Sequence, residues 1–355
     1  MSVNVVRFGA NAAGTDDSSL FLKQYTGSFL EPWRNNVFFW NSPNIDKRTV
    51  TSGKQFQYLR MAELPDPEDY VPGEDLQGQN MAFDEVNITP DKYMVAHQWI
   101  PKDQMNQSHF DPQSGLGMRH ALKLARAYDR RICILACAAA RQTSAVSKNG
   151  MTVHPGGNRV TRAGGTTSSG TAVITTPYPA SSTGAANFRA DLRTLRRRVA
   201  EDNCPIDPDL AIRPDIREVL QYDTTNQVFS RDFQQGNDLH QRRIVKLDGF
   251  NLSAEARDPN TTTNGGCMPD QDLSSQTQTK YQYNFLPQTS DGTPVALALA
   301  RNENGGAAVG VVTFEDVQHF VGYYPEKLSW LVMSFMYVGA GILDPWCAGS
   351  VEVIT

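Results

Sequence analysis

The chain has 355 residues and a formal net charge of −5, with 40% hydrophobic and 20% charged residues. This composition is ordinary for a folded protein of one large domain or two. The negative charge argues against a protein whose whole surface binds nucleic acid, so any such contact must be local. The first residues lack the charged and apolar regions of a signal peptide, and no apolar run is long enough to span a bilayer. We therefore expect a protein of a cytosol-like compartment.

Residues 1–16 are small and polar and predict a flexible arm. Asp16, Asp17 and Ser18 can cap the short helix that is predicted to follow them. Aromatic residues recur along one side of this helix at every fourth position, namely Phe21, Tyr25, Phe29 and Trp33. Nothing close in the sequence supplies an apolar partner for this stripe. We expect it to pack either on the core of the same subunit or on a neighbouring subunit.

Residues 48–100 predict an extended ribbon of two strands. Polar and apolar residues alternate over 55–59 and again over 93–99, and the stretch between them is dense in proline, glycine and acidic residues. This tip includes Glu68, Asp69, Tyr70, Glu74 and Asp75. Its carboxylates lack EF-hand spacing, so a solvated loop is favoured over a calcium site. Because an isolated ribbon is only marginally stable in water, it needs something to lie on, which is the first sign of an assembly.

The segment 117–141 predicts the longest helix of the chain, since it lacks proline and is rich in alanine, leucine and arginine. Its apolar stripe contains Ala121, Leu124, Ala125, Tyr128, Ile132, Leu135 and Ala139. A second, basic stripe contains Arg119, Lys123, Arg126 and Arg130. Such a helix is suited to act as a spine that packs one side on a sheet. Two interpretations of the basic stripe remain open. It is either a solvated helix face whose cations pair with carboxylates, or a face that presents its positive charge to a binding partner.

The rest of the chain alternates between loops, strands and two further helices. Residues 142–183 are rich in glycine, serine, threonine and proline and predict a long surface loop with one short strand at 171–175. An amphipathic helix follows at 185–200, with an apolar face of Phe188, Leu192, Leu195 and Val199 and arginines elsewhere. The later predicted segments are a strand at 207–212, a helix that begins at Pro214, strands at 243–247 and 249–254, a polar loop at 257–289, strands at 295–299 and 309–314, an aromatic-rich strand pair, and a last strand at 351–354 that is expected to lie inside a sheet.

No pattern in the sequence predicts catalysis. The glycine-rich phosphate loops, the zinc-protease motif and the nucleophile elbow are absent. The six histidines never fall at metal-ligand spacing, and the five cysteines are scattered without a CxxC pair, so we interpret them as structural residues. We therefore predict no catalytic residue, no cofactor and no metal site. This absence favours a structural protein over an enzyme.

Several blocks of the sequence carry a resemblance to a known family. The first block contains Leu20, Phe21, Leu22, Lys23, Gly27 and Leu30. The second contains Ser52, Gly53, Lys54, Arg60, Tyr70, Pro72, Gly73, Glu74 and Leu76. The long Ala-rich helix, the helix at Pro214 and the later run of Asp248, Gly249 and Phe250 complete the pattern. The chain thereby resembles the major capsid protein of short-tailed, podovirus-type double-stranded DNA bacteriophages, strongly before Arg141 and weakly over 143–183 and 257–289.

The resemblance implies an α+β fold, the tailed-phage major capsid fold. Its implied parts are an N-terminal arm (1–47), an extended loop (48–100), a peripheral domain with the spine helix (101–141), an axial domain (142–307) and return strands shared by these two domains (308–355). It further implies assembly of hexamers and pentamers into an icosahedral shell that encloses double-stranded viral DNA. The expected partners are a scaffolding protein, a portal and a cementing protein, with no membrane. The expected location is the virion, after assembly in the bacterial cytoplasm.

In this setting the aromatic arm helix is expected to pack between subunits, and the ribbon with its acidic tip is expected to lie across a neighbour. The basic stripe is expected to face the packaged DNA and contact phosphates without regard to sequence. The competing interpretation pairs the stripe with acidic ribbon residues of a neighbour. Two alternatives to a capsid are an encapsulin-type compartment that encloses cargo enzymes and an unrelated β-rich glycan-binding protein.

Overall fold

The computed structural model describes most of the chain after residue 41. The described residues are 39, 42–51, 53–62, 67, 69, 72–73, 78, 81–107, 112–148, 150–168, 171–174, 176–202, 204, 208–222, 246–255, 268–302 and 305–355. The residues predicted to contact neighbours that lie outside these ranges are Phe21, Tyr25, Phe29, Trp33, Glu68, Tyr70, Glu74 and Asp75.

The described residues form four α-helices, which are α1 (Lys102–Gln107), α2 (Pro112–Arg141), α3 (Ser182–Glu201) and α4 (Pro214–Gln221). The predicted spine is α2, but it begins at Pro112, five residues earlier than predicted. Proline is well tolerated at this first position, because the N–H groups of the first turn form no intrahelical hydrogen bond. The predicted amphipathic helix and the Pro214 helix are confirmed as α3 and α4. No helix in these ranges is long and apolar enough to cross a membrane.

The strands among the described residues form two sheets and three two-stranded ribbons. Their bounds are β1 (Asp46–Thr49), β2 (Phe56–Met61), β3 (Phe83–Ile88), β4 (Met94–Pro101), β5 (Val146–Lys148), β6 (Met151–His154), β7 (Asn158–Ala163), β8 (Thr166–Ser168), β9 (Thr171–Val173), β10 (Asp209–Ile212), β11 (Lys246–Leu247), β12 (Phe250–Glu255), β13 (Thr293–Leu299), β14 (Val309–Tyr324), β15 (Ser329–Ile342) and β16 (Ala348–Ile354). One sheet has the order β1-β14-β15-β4, and the other has the order β11-β12-β10-β13-β16-β7. The ribbons are β2-β3, β5-β6 and β8-β9.

Helix α2 connects the two sheets. Near its start, Leu116 packs with Ile100 of β4 and Val332 of β15, and further along the helix contacts β13 and β16. The described members of its predicted apolar stripe, from Leu124 to Ala139, are buried. From residue 132 to residue 140 every side chain is buried, on all sides of the helix. This all-round burial explains the small alanines and cysteines of the segment, because small side chains let both sheets approach the helix closely.

Helix α3 covers the six-stranded sheet. Its predicted apolar face is confirmed, since Phe188, Leu192, Leu195 and Val199 are fully buried and the helix contacts β7 and β16. Strand β16 lies between β13 and β7. The prediction that the chain ends inside a sheet is therefore confirmed.

The predicted pairing of the ribbon strands is wrong. Strand β2 does pair antiparallel with a second strand, but that strand is β3, with Phe56 opposite Ile88, and β3 lies within the stretch that was predicted to be the acidic tip. The alternating segment at 93–99 falls in β4, which pairs with β15 in the four-stranded sheet. The carboxylates of β3 conceal its strand character, because Asp84 points inwards to meet Arg60 and Lys148.

The prediction of one long surface loop at 142–183 is also wrong in part. Five short strands occupy the described residues of this region, and β7 pairs in parallel with β16 at the edge of the six-stranded sheet. Two features of the segment serve packing rather than flexibility. Arg162 of β7 forms an ion pair with Asp191 of α3, and Gly157 lies so close to α2 that a Cβ there would clash with the carbonyl oxygen of Ala139.

Candidate nucleic-acid and subunit interfaces

The basic stripe of α2 lies at the surface as predicted. Arg119, Lys123 and Arg126 are exposed, and Arg130 is half-buried. Within the described part of the chain, none of the four forms an ion pair with a carboxylate. The interpretation that this stripe is neutralised by carboxylates of its own chain therefore finds no support among the described residues.

Three of these side chains line a groove. It lies between α2 and the segment 273–281, has a volume of about 580 Å³, and is lined by Lys123, Arg126 and Arg130. Two further cations, Lys92 and Arg131, complete its basic lining, and no carboxylate lines it. Arg119 lies outside the groove. The structure thus divides the predicted stripe into three groove residues and one that stands apart.

A buried carboxylate supports the base of this groove. The side chain of Asp91 is 1% exposed, and its Oδ2 lies 3.2 Å from Nη1 of Arg131. The hydroxyl of Tyr281 donates a hydrogen bond of 2.5 Å to the same oxygen, and Lys280 forms an ion pair with Oδ1. Burial, reinforced by the charge of Asp91, raises the pKa of Tyr281, so it remains a hydrogen-bond donor. Asp91 therefore holds Arg131 and the 273–281 segment in place without reaching the other groove cations.

The arginines of α3 behave differently from those of α2. Arg189 meets Asp248 through two hydrogen bonds of 3.0 Å, and Arg193 lies 3.4 Å from the same carboxylate. Burial of Asp248 opposes ionisation, but the hydrogen bonds and charges of these two arginines lower its pKa overall. Arg196 lies over the ring of Phe250, 5.8 Å from its centroid. The basic side of α3 is therefore largely occupied by contacts within the chain, whereas Lys123, Arg126 and Arg130 of the groove form no ion pair with a described carboxylate.

The β2-β3 ribbon has one buried and one exposed face. Its inner face carries Tyr58 and Ile88, which pack with Val312 of β14 and with Leu343 in the same chain. The sequence predicted that the ribbon needs a surface to lie on. For its inner face, the same subunit provides that surface. The outer face carries three exposed apolar side chains, with Leu59 69% exposed, Met61 57% and Phe83 46%, beside the exposed polar residues Gln57, Glu85 and Asn87. Of the predicted acidic contact residues at the tip, the structure describes Asp69, which is exposed.

The four-stranded sheet presents a second exposed apolar face, on the side away from α2. Tyr93, Val95 and Phe320 are each more than 40% exposed there. Tyr93 stacks on Tyr337 with ring centroids 4.3 Å apart, which fixes the edge of the surface. Several large exposed apolar side chains on one sheet face are a feature of protein interaction sites. The alternation over 93–99 signalled this face, although it did not reveal which strands share it.

Two histidines are buried and have a pKa below the usual value. Burial, followed by the nearby His319, Lys123 and His97, lowers the pKa of His120 on α2. Burial and the charge of Arg60 lower the pKa of His154, although Asp84 opposes this. Both residues therefore bind a proton less readily in the folded chain than in the unfolded chain.

We expect the double variant His120→Gln, His154→Gln to lose less stability than the parent on acidification from about pH 7.5 to about pH 5.5. Below about pH 6.5 the unfolded histidines bind protons that the folded ones bind less readily, so the parent loses free energy of unfolding as the pH falls. Burial raises the pKa of Asp344 to about 6, against the charge of Arg60, and this has the opposite effect on stability. The informative quantity is therefore the loss of unfolding free energy in the parent minus that in the variant. Urea unfolding of both proteins at both pH values measures it. Equal losses in the two proteins would contradict this assignment.

The described fold matches solved phage capsid structures along nearly its whole length. The capsid structure of cyanophage P-SCSP1u matches with a TM-score of 0.66 and 22% identity, over 97% of this chain and 97% of that chain. The mature capsid of bacteriophage PhiM1 matches with a TM-score of 0.64 and 16% identity, over 99% and 97%. The capsid of a native GTA particle matches with a TM-score of 0.54 and 13% identity, over 94% and 95%. No protein-family model and no curated protein sequence matches the chain.

These likenesses define the class of fold. The chain has an α+β fold, and it is the fold of the phage capsid proteins, as the sequence resemblance implied. An unrelated β-rich glycan-binding fold is thereby excluded.

Proposed function

We propose that this chain is the major capsid protein of a double-stranded DNA phage of the short-tailed type, with a structural rather than a catalytic role. The match of its fold to phage capsid structures over 97% of the chain or more carries the proposal. Subunits assemble as hexamers and pentamers into a closed icosahedral shell around the viral DNA. Assembly takes place in the bacterial cytoplasm with a scaffolding protein, a portal and a cementing protein as partners.

The two exposed apolar faces support assembly through neighbouring copies. The outer face of the ribbon exposes Leu59, Met61 and Phe83 to water in the isolated subunit, and a neighbouring subunit would cover them. It docks on the outer face of the four-stranded sheet of the next subunit, around Val95 and Phe320. The ribbon face and the sheet face are different surfaces, so the contact is heterologous and closes only through rotational symmetry.

The division into arm, extended loop, peripheral domain and axial domain belongs to this proposal. The peripheral domain holds the spine helix (101–141), the axial domain fills 142–307 and includes α3, and the return strands (308–355) join both. Strand β4, which the sequence-based division places in the extended loop (48–100), pairs with the return strand β15. The aromatic arm residues Phe21, Tyr25, Phe29 and Trp33 pack between subunits. The acidic tip residues Glu68, Asp69, Tyr70, Glu74 and Asp75 contact a neighbour.

The basic stripe of α2 faces the packaged DNA in this arrangement. Arg119, Lys123, Arg126 and Arg130 lack ion-pair partners among the described residues, so their charges are available to phosphates. We expect the double variant Arg126→Glu, Arg130→Glu to form normal empty shells that retain DNA poorly, because like charges repel phosphates. Nuclease-protected DNA per particle measures this retention. A failure of the variant to assemble would instead favour pairing of the stripe with acidic residues of a neighbour.

Size-exclusion chromatography of the purified chain, followed by negative-stain electron microscopy, tests the proposed function. Icosahedral shells, or free hexamers and pentamers, are the expected result. A persistent monomer, with scaffolding protein added, would overturn the proposal. Particles that contain protein cargo instead of DNA would point to a compartment of the encapsulin type.

A further inference from the structure

The groove beside α2 combines polar and charged groups from several parts of the chain, unlike a helix face that merely carries charge. Its cations come from separate parts of the chain, with Lys92 preceding β4 and the others lying on α2. The opposite wall is the segment 276–278, with the sequence Gln-Thr-Gln, whose amide and hydroxyl groups can donate hydrogen bonds. Folding therefore gathers cations and neutral donors around one opening.

We propose that this groove is a binding site for the phosphodiester backbone of nucleic acid. The inference rests on the proposed function for the identity of the nucleic acid, which is the packaged DNA, but its geometry stands independently. From Lys123 to Arg130 the helix rises by about 10 Å, so the three side chains can reach neighbouring phosphates of one strand. Their positive charges are complementary to those phosphates.

The ion pairs near the groove do not neutralise the positive charge of its cations. Asp91 lies beside the base of the groove, and it already contacts Arg131, Lys280 and Tyr281. Lys92, Lys123, Arg126 and Arg130 have no carboxylate partner among the described residues. Guanidinium groups bind phosphate oxygens in pairs of parallel hydrogen bonds, which gives such a site strength without base specificity.

A phosphodiester fits the groove better than an acidic peptide does. The phosphodiester backbone offers only hydrogen-bond acceptors, and the five cations of the groove offer only donors. A peptide would bring one backbone N–H group per residue into the groove, and the five cations cannot accept from any of them, which leaves the oxygens of Gln276, Thr277, Gln278 and Tyr281 as the acceptors among the lining side chains. The acidic ribbon tip of a neighbour is therefore the weaker occupant.

The position of each cation gives a sharp test. Fluorescence anisotropy of a labelled duplex of about 20 base pairs, titrated with the full-length protein between about 50 and 200 mM salt, measures affinity and its salt dependence. We expect Lys92→Gln, Arg126→Gln and Arg130→Gln each to weaken binding and to reduce the slope of log K against log salt by about one. Arg119→Gln is the matched control, because it removes the same charge from the same helix outside the groove, and it should weaken binding less than any of the three groove variants.

Several results would overturn the proposal. If Arg119→Gln weakened binding as much as Arg126→Gln while Lys92→Gln had no effect, the helix face and not the groove would be the site. If a synthetic peptide of residues 63–80 displaced the duplex more effectively than pyrophosphate did, the groove would be a contact for a neighbouring subunit. Absence of duplex binding at low salt would also overturn it. Electron microscopy of the same samples separates this outcome from that of the proposed function, since groove-dependent binding without shells would refute only the capsid role.

Discussion

Replacing Leu59 and Phe83 with aspartate is expected to leave the subunit folded but to prevent its assembly into shells. Leu59 is 69% exposed and Phe83 is 46% exposed, so a carboxylate at either position remains in water in the isolated subunit. In the proposed contact both positions are buried against a neighbour, where each unpaired charge costs several kcal/mol. Because every contact of this kind in a shell is repeated by symmetry, a modest loss per contact is multiplied across the particle.

Size-exclusion chromatography and electron microscopy measure the assembly of this variant, and thermal unfolding of the unassembled protein verifies its fold. Tyr222→Asp is the matched control, since Tyr222 is also an exposed aromatic residue at 46% but lies at the end of α4 and belongs to neither apolar face. The control should assemble normally. Val95→Asp, in the receiving sheet face, should fail as the ribbon variant does. Normal shells from the ribbon variant would mean that its outer face is not a subunit contact.

The elements that could be predicted from the sequence are those with a local signal. Helix α2 shows a long run of helix-forming residues with two stripes, and α3 shows four apolar residues at helical spacing; both are present in the structure. The start of α2 could not be predicted from the same pattern, because the residues from Pro112 onwards are as typical of a turn as of a first helical turn.

The pairing of strands could not be predicted, because it depends on contacts between distant residues. Alternation identified the segment 93–99 as a strand with one apolar face, and that face is exposed in the structure. It did not identify β15, more than 200 residues later, as its partner. Strand β3 was missed because Asp84 and Glu85 made the segment resemble a loop, and only the folded chain brings Arg60 and Lys148 to Asp84.

The groove shows the same division between local and distant information. The helical spacing of Lys123, Arg126 and Arg130 was sufficient to predict one basic wall. Lys92 and the segment 276–278 reach the groove only through the fold, and no pattern near them in the sequence points to it. The difference between the arginines of α2 and those of α3 was equally hidden, because it depends on where Asp248 lies.

The end of α2 is held by a buried ion cluster that the sequence did not signal. Glu352 of β16 is fully buried, and its carboxylate lies 3.0 Å from Nε of Arg141 and 2.7 Å from Nη2 of Arg159. Arg141 also donates hydrogen bonds to the carbonyl oxygens of Asn284 (2.9 Å) and Gly292 (2.5 Å). One side chain thus ties the last residue of the spine helix to the six-stranded sheet and to the loop that precedes β13.

Arg141→Ala is expected to lower the free energy of unfolding of the unassembled subunit by about 2–4 kcal/mol, because it leaves Glu352 with Arg159 as its remaining cationic partner and leaves two carbonyl oxygens without these donors. Urea unfolding measures this loss. Arg197→Ala is the control, since its ion pair with Glu201 is exposed on both sides, at 71% and 64%, and such pairs contribute about 0.3–0.5 kcal/mol. Similar small losses in the two variants would contradict the assignment of the cluster. A large loss confined to Arg141→Ala would instead identify this ion cluster, rather than the helix propensity of the spine, as what fixes α2 to the six-stranded sheet.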